Sequence, residues 1–580
     1  MSFEPLPRLT PEEINEFFPA HTGSPEAGVF EVGLVLGGTV SAGCFTAGVL
    51  DFLIEALDRW TVAKRLDNDS GAGVPNHRVV IRVVSGASGG GVTGAAFAKA
   101  IAHAVAPVTS DRTSPGQTQA GQNPLYDLWV NNFNLPDFLT TEDLGAGRPL
   151  KSALNPAPID RAADALVRYQ GGQLGMLGTP AVRDYVPDKL TLFLTLTNLR
   201  GVPYQVELGS GRLAQSFIDH ADFVRMAVAT RGADIRPRPD EFGVSEDAAG
   251  SQFVGWHVAA EFGKATGAFP VGFPPSELKR PMRHYRYRVV ADAVTGKVRP
   301  LNPDWTALAE DGFLPNAYKF LAVDGGATNN QPMELARTFL AGHLGRNPRS
   351  GGAANRAVVL VDPFADEARL GPEAFKGLFS SFGSLAKTWV DQARFSTADL
   401  TLAADEDVFS RFMVTPSRRS GAGLLMGGRA TASAGFGGFM GFLHRAYRHH
   451  DFMLGRKACQ EFLREEFTLT SVNNLFNDWR GAHYTDEYRN TKNELQIIPL
   501  MKEIRDPLPD PDWPQGLLDT EDLRNQLDGR VGAVVGALKR ENVEDWFARA
   551  WFWLAEWKIR GEITKSLVER VAKEAALWKL

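Results

Sequence analysis

The chain has 580 residues, 44% of them hydrophobic and 22% charged, with a net charge of −6. That length exceeds what one hydrophobic core organises, so two or three domains are expected, and the acidic balance makes nucleic acid an unsuitable main partner. The two cysteines, Cys44 and Cys459, lie far apart, which excludes a disulfide scaffold and fits a reducing compartment.

The N-terminus, MSFEPLPRLTPEEINEFF, lacks a basic start followed by an apolar run, so no signal peptide is read there. Thr10 as N-cap, Pro11 at the first helical position and Glu13 closing a capping box predict a short helix. Residues 31–36 (EVGLVL) predict a strand ending at Gly37-Gly38. A helix follows, with Val49, Leu50, Phe52, Leu53 and Leu57 at helical spacing. Residues 79–85 predict a second strand, apolar almost throughout, as a strand buried on both faces is. Residues 95–105 predict a helix. Strand, helix, strand, helix implies a mostly parallel sheet in an α/β layer fold.

Residues 107–124 are polar and rich in turn formers, the composition of a flexible excursion. Residues 190–208 alternate apolar and polar around Asn198-Leu199-Arg200-Gly201, which predicts an antiparallel hairpin. A shorter strand is expected at 284–290. Residues 319–323 (KFLAV) and 357–361 (AVVLV) predict buried strands, each with an aspartate at its C-terminal end. After Asp362-Pro363 helical stretches with aromatic residues dominate, so a boundary is expected near residue 366. This divides the chain into an N-terminal helical extension (1–28), an α/β domain (29–365) and a helical C-terminal region (366–580). No run of 18 apolar residues occurs. A soluble, cytoplasmic protein is expected, with peripheral attachment to a membrane left open.

The stretch VVIRVVSGASGGGVTG, residues 79–94, puts Gly86-Ala87-Ser88-Gly89-Gly90 on the corner between strand and helix. G-x-S-x-G at such a corner is a nucleophile elbow: the turn is tight, Gly86 and Gly90 avoid collisions, and Ser88 is lifted at a helix start. Backbone N–H groups there stabilise developing negative charge. The plain alternative is a structural Gly-Ser turn. A phosphate loop is excluded, because GASGGGVTG lacks the Lys-Ser/Thr ending.

A serine hydroxyl needs a base. His343, His444, His449, His450 and His483 follow Ser88, but none sits in a strand-loop signature. Asp324, in FLAVDGGATNNQP (320–332), ends a strand and precedes Gly325 and Gly326, which let backbone approach closely. By itself it reads as an Asp-Gly turn. Upstream, GLVLGGTVSAG (33–43) opens a glycine turn whose free N–H groups suit an anion hole.

These three features in this order resemble the patatin-like phospholipase family, in its bacterial patatin-related branch. Its members carry a glycine-rich oxyanion loop, then G-x-S-x-G, then D-G-G or D-G-A, and use a Ser–Asp dyad. The resemblance spans about residues 29–365 and includes ATGAFPVGFPP (265–275), Asn329, Asn330 and Pro332. It implies a patatin-like three-layer α/β/α sandwich with a mostly parallel central sheet, plus the predominantly helical C-terminal region. It implies Ser88 as nucleophile, Asp324 as base, and Gly37, Gly38, Thr39 and Gly89 as the oxyanion hole. One departure is visible: the family's loop reads like G-G-G-x-R-G, whereas here the arginine position is filled by Ala42 or shifted away.

The implied reaction is hydrolysis of acyl esters through an acyl-enzyme, with no metal and no cofactor. An aspartate near pKa 3.9 is a weak base, and partial desolvation would strengthen it. Each oxyanion donor supplies roughly 3 kcal/mol. The implied partner is a phospholipid or other acyl-ester lipid, with transient contact at a membrane surface. Acyl transfer, or a catalytically silent protein that binds lipid or a protein, is the alternative reading. Two apolar stretches, 375–390 and 546–557, either dip into an interface or pack on the catalytic domain. The glycine-rich run 421–441 reads as a lid or a linker. His449-His450-Asp451 reads as a surface or interdomain polar patch, since adjacent helical side chains diverge. Residues 436–463 also resemble the C-terminal region of the same bacterial branch.

Overall fold

The apolar run Val29–Leu36 becomes the central strand of an 11-stranded sheet. The computed structural model describes residues 8–580 apart from 71–72, 110–122, 146–147, 177, 209–212, 231–234, 247–252, 293, 307–316, 365–404, 406, 422, 480–485, 543–560, 562 and 578. The strands are β1 (Val29–Leu36), β2 (Arg78–Gly86), β3 (Lys189–Leu208), β4 (Leu213–Ala229), β5 (Glu241–Val244), β6 (Phe253–Val254), β7 (Ser276–Pro281), β8 (Asn302–Pro303), β9 (Ala317–Asp324), β10 (Arg356–Val361) and β11 (Arg411–Val414). Their main order is β11-β10-β1-β2-β3-β4-β5-β6, with β8 and β9 on the far half of β3 and β7 beside β9. From β11 to β3 every pairing is parallel; β3–β4, β3–β8, β3–β9 and β9–β7 are antiparallel.

Seven helices matter here: α1 (Pro11–Phe17), α2 (Gly43–Ser70), α3 (Ser88–Ala100), α4 (Ala157–Arg168), α5 (Trp256–Thr266), α6 (Met333–Ala341) and α7 (Arg445–Glu465). Alternate residues of a strand point to opposite faces. Leu34 and Leu36 pack into the core shared with α2, α3 and α5, while Val35 packs against Met333, Ala336 and Leu340 of α6. Helices therefore cover both faces of the sheet. The α1 capping box forms as expected: Glu13 N–H donates to Thr10 Oγ1 (3.2 Å) and Thr10 N–H to Glu13 Oε2 (2.9 Å).

Three local expectations change. The helix predicted at 95–105 starts earlier, at Ser88, and ends at Ala100. Asn198–Gly201 is a bulge within β3: Thr197 pairs with Ala221 and Val202 with Asp219. The Asn198 side chain accepts the N–H groups of Arg200 (3.1 Å) and Gly201 (2.9 Å), replacing ladder partners, and Gly201 takes φ +74°. The β3–β4 connection is 209–212, outside the described residues. Residues 282–286 form a 3₁₀ turn, and the strand begins only at Val289. Tyr285 Oη and Arg288 Nη2 both donate to Asp222, at 2.9 and 2.8 Å. Side chains three apart on a strand point to opposite faces, so this convergence needs a turn.

The boundary expected near 366 falls where the described chain breaks off, at 365–404. Beyond it the chain returns to the same core: β11 extends the sheet beside β10, and α7 packs along α2. The two helices touch through backbone. A Cβ on Gly48 would lie 1.9 Å from Phe452 O, and one on Gly455 2.1 Å from Phe45 O. The stretch 40–67 is long and apolar enough to cross a membrane, yet 94% of its apolar 18-residue window is buried inside the protein. Asp51 and Glu55, one turn apart on α2, are both bonded by the buried Arg456 of α7. The stretches 375–390 and 546–557 lie outside the described residues.

Candidate active site

Gly86 ends β2, Ala87 caps α3, and Ser88 is the first helical residue. Ser88 has φ +53°, a left-handed conformation that costs a non-glycine residue energy and is held only when surroundings impose it. Two surroundings do so. Ser88 N–H donates to Thr266 Oγ1 at the end of α5 (3.1 Å). The corner also presses on the end of β1: a Cβ on Gly90 would lie 2.2 Å from Gly37 O and 2.3 Å from Leu36 O. A Cβ on Gly86 would meet Gly91 Cα at 2.7 Å.

Asp324 ends β9, and its register partner on β3 is Leu196. The carboxylate receives two hydrogen bonds. Ser88 Oγ donates to Oδ2 (2.6 Å), and Gly326 N–H donates to Oδ1 (2.7 Å). Gly325 permits the tight return, since a Cβ there would lie 2.2 Å from Thr195 O. Ser88 and Asp324 are both buried. Burial pushes the Asp324 carboxyl up to about 6, against the Ser88 and Gly326 bonds that pull it down. A serine hydroxyl hydrogen-bonded to a carboxylate poised near neutrality is a nucleophile–base pair.

The glycine turn after β1 is more committed than its sequence implies. Gly37 N–H donates to Val361 O (3.2 Å) and Gly38 N–H to Asn330 O (3.1 Å). A Cβ on Gly38 would lie 2.0 Å from Asn330 Oδ1 and 3.1 Å from Ser88 Cβ. Gly37 and Gly38 thus shape the turn, and their N–H groups are spent. The N–H groups of Thr39 and Gly89 donate to no described residue. These two are also adjacent: a Cβ on Gly89 would lie 2.3 Å from Thr39 Oγ1.

Ser88 and Asp324 lie in a cleft of about 800 Å³. Its walls come from α3, α4, α5 and the segment 128–138, and include Leu128, Trp129, Phe133, Phe138, Ile159 and Phe273. Lys264, paired with Asp160 at 2.6 Å, is the only charged lining residue besides Asp324 among the described residues. Among the described residues no histidine lines it. His343 is on the α6 side, His444 caps α7, His449 bonds Tyr126 Oη (2.7 Å), and His483 lies outside the described residues. Phe439 of the glycine-rich run and Phe442 just after it complete the wall. Ser41 clamps that run beside the glycine turn, donating to Gly438 O and accepting Gly441 N–H (3.0 Å).

His450 and Asp451 are buried rather than on the surface. Asp451 accepts Ala432 N–H (2.7 Å) and Ser433 N–H (2.8 Å), which anchors the start of the same wall. Two functional residues escaped sequence reasoning. Thr266 sits inside the stretch singled out at 265–275, but nothing local reveals that it accepts Ser88 N–H. Arg448 is buried and bonds Asn134 Oδ1 (2.6 Å), Gly441 O (2.6 Å) and Val130 O, tying two walls of the cleft together. Thr266→Val keeps the shape and orphans the buried Ser88 N–H. We expect it to cost about 1–3 kcal/mol of stability, read by urea unfolding.

No protein-family model matches the chain. It is 31% identical over 560 residues to "Uncharacterized protein y4iI" of Sinorhizobium fredii (strain NBRC 101917 / NGR234), covering 89% of this chain and 76% of that protein. Similarity of this degree along most of both chains means that the protein belongs to the same family as the rhizobial y4iI protein.

Proposed function

We propose that the protein is a serine lipid acyl hydrolase, phospholipase A-like, built on a patatin-like three-layer α/β/α sandwich. The observation that carries this reading is the 2.6 Å hydrogen bond from Ser88 Oγ to Asp324 Oδ2 inside a mostly apolar cleft. The cleft suits an acyl chain, because apolar surface removed from water there contributes roughly 25 cal/mol per Å².

In the first step Ser88 Oγ attacks the ester carbonyl carbon as Asp324 takes its proton. The oxyanion is met by the N–H groups of Thr39 and Gly89. The bond to the leaving alcohol breaks, and Asp324 returns the proton to that alcohol. Water then attacks the acyl-enzyme, passing a proton through Asp324 back to Ser88, and the fatty acid leaves. An alcohol in place of water would make the same site an acyltransferase.

The test is labelling of the purified protein by a fluorophosphonate, together with fatty-acid release from mixed phospholipid vesicles, with Ser88→Ala in parallel. Labelling and release that both vanish in the variant support the reading. A wild-type chain that neither labels nor releases fatty acid sinks it and favours a binding protein on the same fold.

A further inference from the structure

A second cleft, of about 1090 Å³, opens on the α6 side of the sheet, and no residue lines both clefts. Three guanidinium groups reach it, each set over aromatic rings. Arg225 lies between Phe193 and Phe339 (5.2 and 5.4 Å), Arg238 over Phe17 and Phe18 (4.9 and 5.1 Å), and Arg288 over Phe223 (3.6 Å). Stacking fixes a guanidinium while leaving its edge donors to a ligand. Arg238 is spent on Asp240 and Phe17 O. Arg225 is not: Nε donates to Glu241 Oε1 (2.6 Å), and its two terminal nitrogens have no hydrogen-bond partner among the described residues. Arg288 Nη1 is likewise buried without one.

Burial, with Arg337, Arg238 and Arg225 nearby, pushes the His343 imidazole in the same cleft down to about 4. Of the carboxylates at the cleft, Asp240 is paired with Arg238 and Glu334 with Arg337 (2.8 Å), and Glu16 is on the exposed rim. The walls also differ from those around Ser88: aromatic rings alternate with arginines, and the hydroxyls of Thr22 and Thr338 are already bonded, by Leu340 O and Arg356 and by Arg337.

We infer that this cleft binds a nucleoside phosphate, with the terminal nitrogens of Arg225 on the phosphate and the half-buried Phe339 ring against the base. Phosphate suits the guanidinium fork, which pairs with it in bidentate geometry. A flat heterocycle suits a wall of aromatic rings, against whose faces it can stack.

The test is calorimetric titration of the full chain with AMP, GMP, CMP and UMP, and separately with inorganic phosphate and with palmitate. At least one nucleotide should bind once per chain, at least tenfold tighter than inorganic phosphate. Arg225→Ala and Phe339→Ala should each weaken it at least tenfold while keeping the wild-type circular-dichroism spectrum. Ser88→Ala should bind as wild type, so the result is independent of the chemistry at Ser88. If no nucleotide outbinds inorganic phosphate, if palmitate displaces the nucleotide, or if either cleft variant keeps wild-type affinity, the inference is overturned.

Discussion

Asparagine in place of Asp324 is expected to lower acyl-ester turnover about 10²- to 10⁴-fold, the usual contribution of a positioned general base. The substitution keeps an oxygen for Gly326 N–H but puts a group beside Ser88 Oγ that cannot take its proton. The wild-type kcat/KM should therefore rise with pH through about 6 and then level, because the carboxylate must be ionised to act. Adding Asp324→Asn to Ser88→Ala should cost nothing more, since a base without its nucleophile is idle. Stability should move the other way. The folded protein holds the Asp324 proton more tightly than the unfolded chain, about 6 against 3.8. Its contribution is thus fullest below pH 3.8 and is lost as pH rises through about 6. At about 1.4 kcal/mol per unit, ionising this buried group costs about 3 kcal/mol by pH 8. The asparagine variant escapes that cost. Urea unfolding of both chains from pH 4 to 8 should show the variant gaining on the wild type, and parallel curves would show that Asp324 is not held in this environment.

Gly90→Ala is expected to be the most damaging single methyl group in the elbow. Its Cβ would meet two backbone oxygens at 2.2 and 2.3 Å, so α3 would have to move off the end of β1. Backbone cannot rotate aside as a side chain can, which places the cost at roughly 3 kcal/mol or more, with loss of serine labelling. Gly94, one turn further along α3, is the control. A Cβ there would meet Leu36 Cδ1 and Val84 Cγ1 at 3.4 Å and Leu192 Cδ1 at 3.6 Å, all ordinary contacts with side chains. Gly94→Ala should stay within about 1 kcal/mol of wild type and keep labelling, its better helix propensity offsetting any crowding. Equal losses in the two variants would mean that the corner does not press on β1.

The helical turn of Thr10-Pro11-Glu13, the buried runs at 29–36, 78–86 and 356–361, the serine corner and the aspartate at a strand end were all readable from residue order. Each is a local matter of period, capping or turn chemistry, and local physics is written in neighbouring residues. Features that depend on a distant partner were not. Asn198–Gly201 carries every mark of a turn, yet β4 continues past it and makes it a bulge. Gly37 and Gly38 read as anion donors, but Val361 and Asn330 lie where their N–H groups point. The pair His450-Asp451 reads as a surface or interdomain patch and is buried, with the His450 ring against Trp513 and the Asp451 carboxylate on the N–H groups of Ala432 and Ser433. Ser88 and Asp324 stand 236 positions apart, and likeness to a known family suggested pairing them, whereas hydrophobic periodicity could not. Sequence by itself determined the first helix, the buried strands at 29–36, 78–86 and 356–361, and which corners are glycine-paved. Only the tertiary structure decided which N–H groups stay free, which charges are buried and which arginines face an open cleft. Those outcomes depend on how the strands and helices pack, and no single segment contains that information.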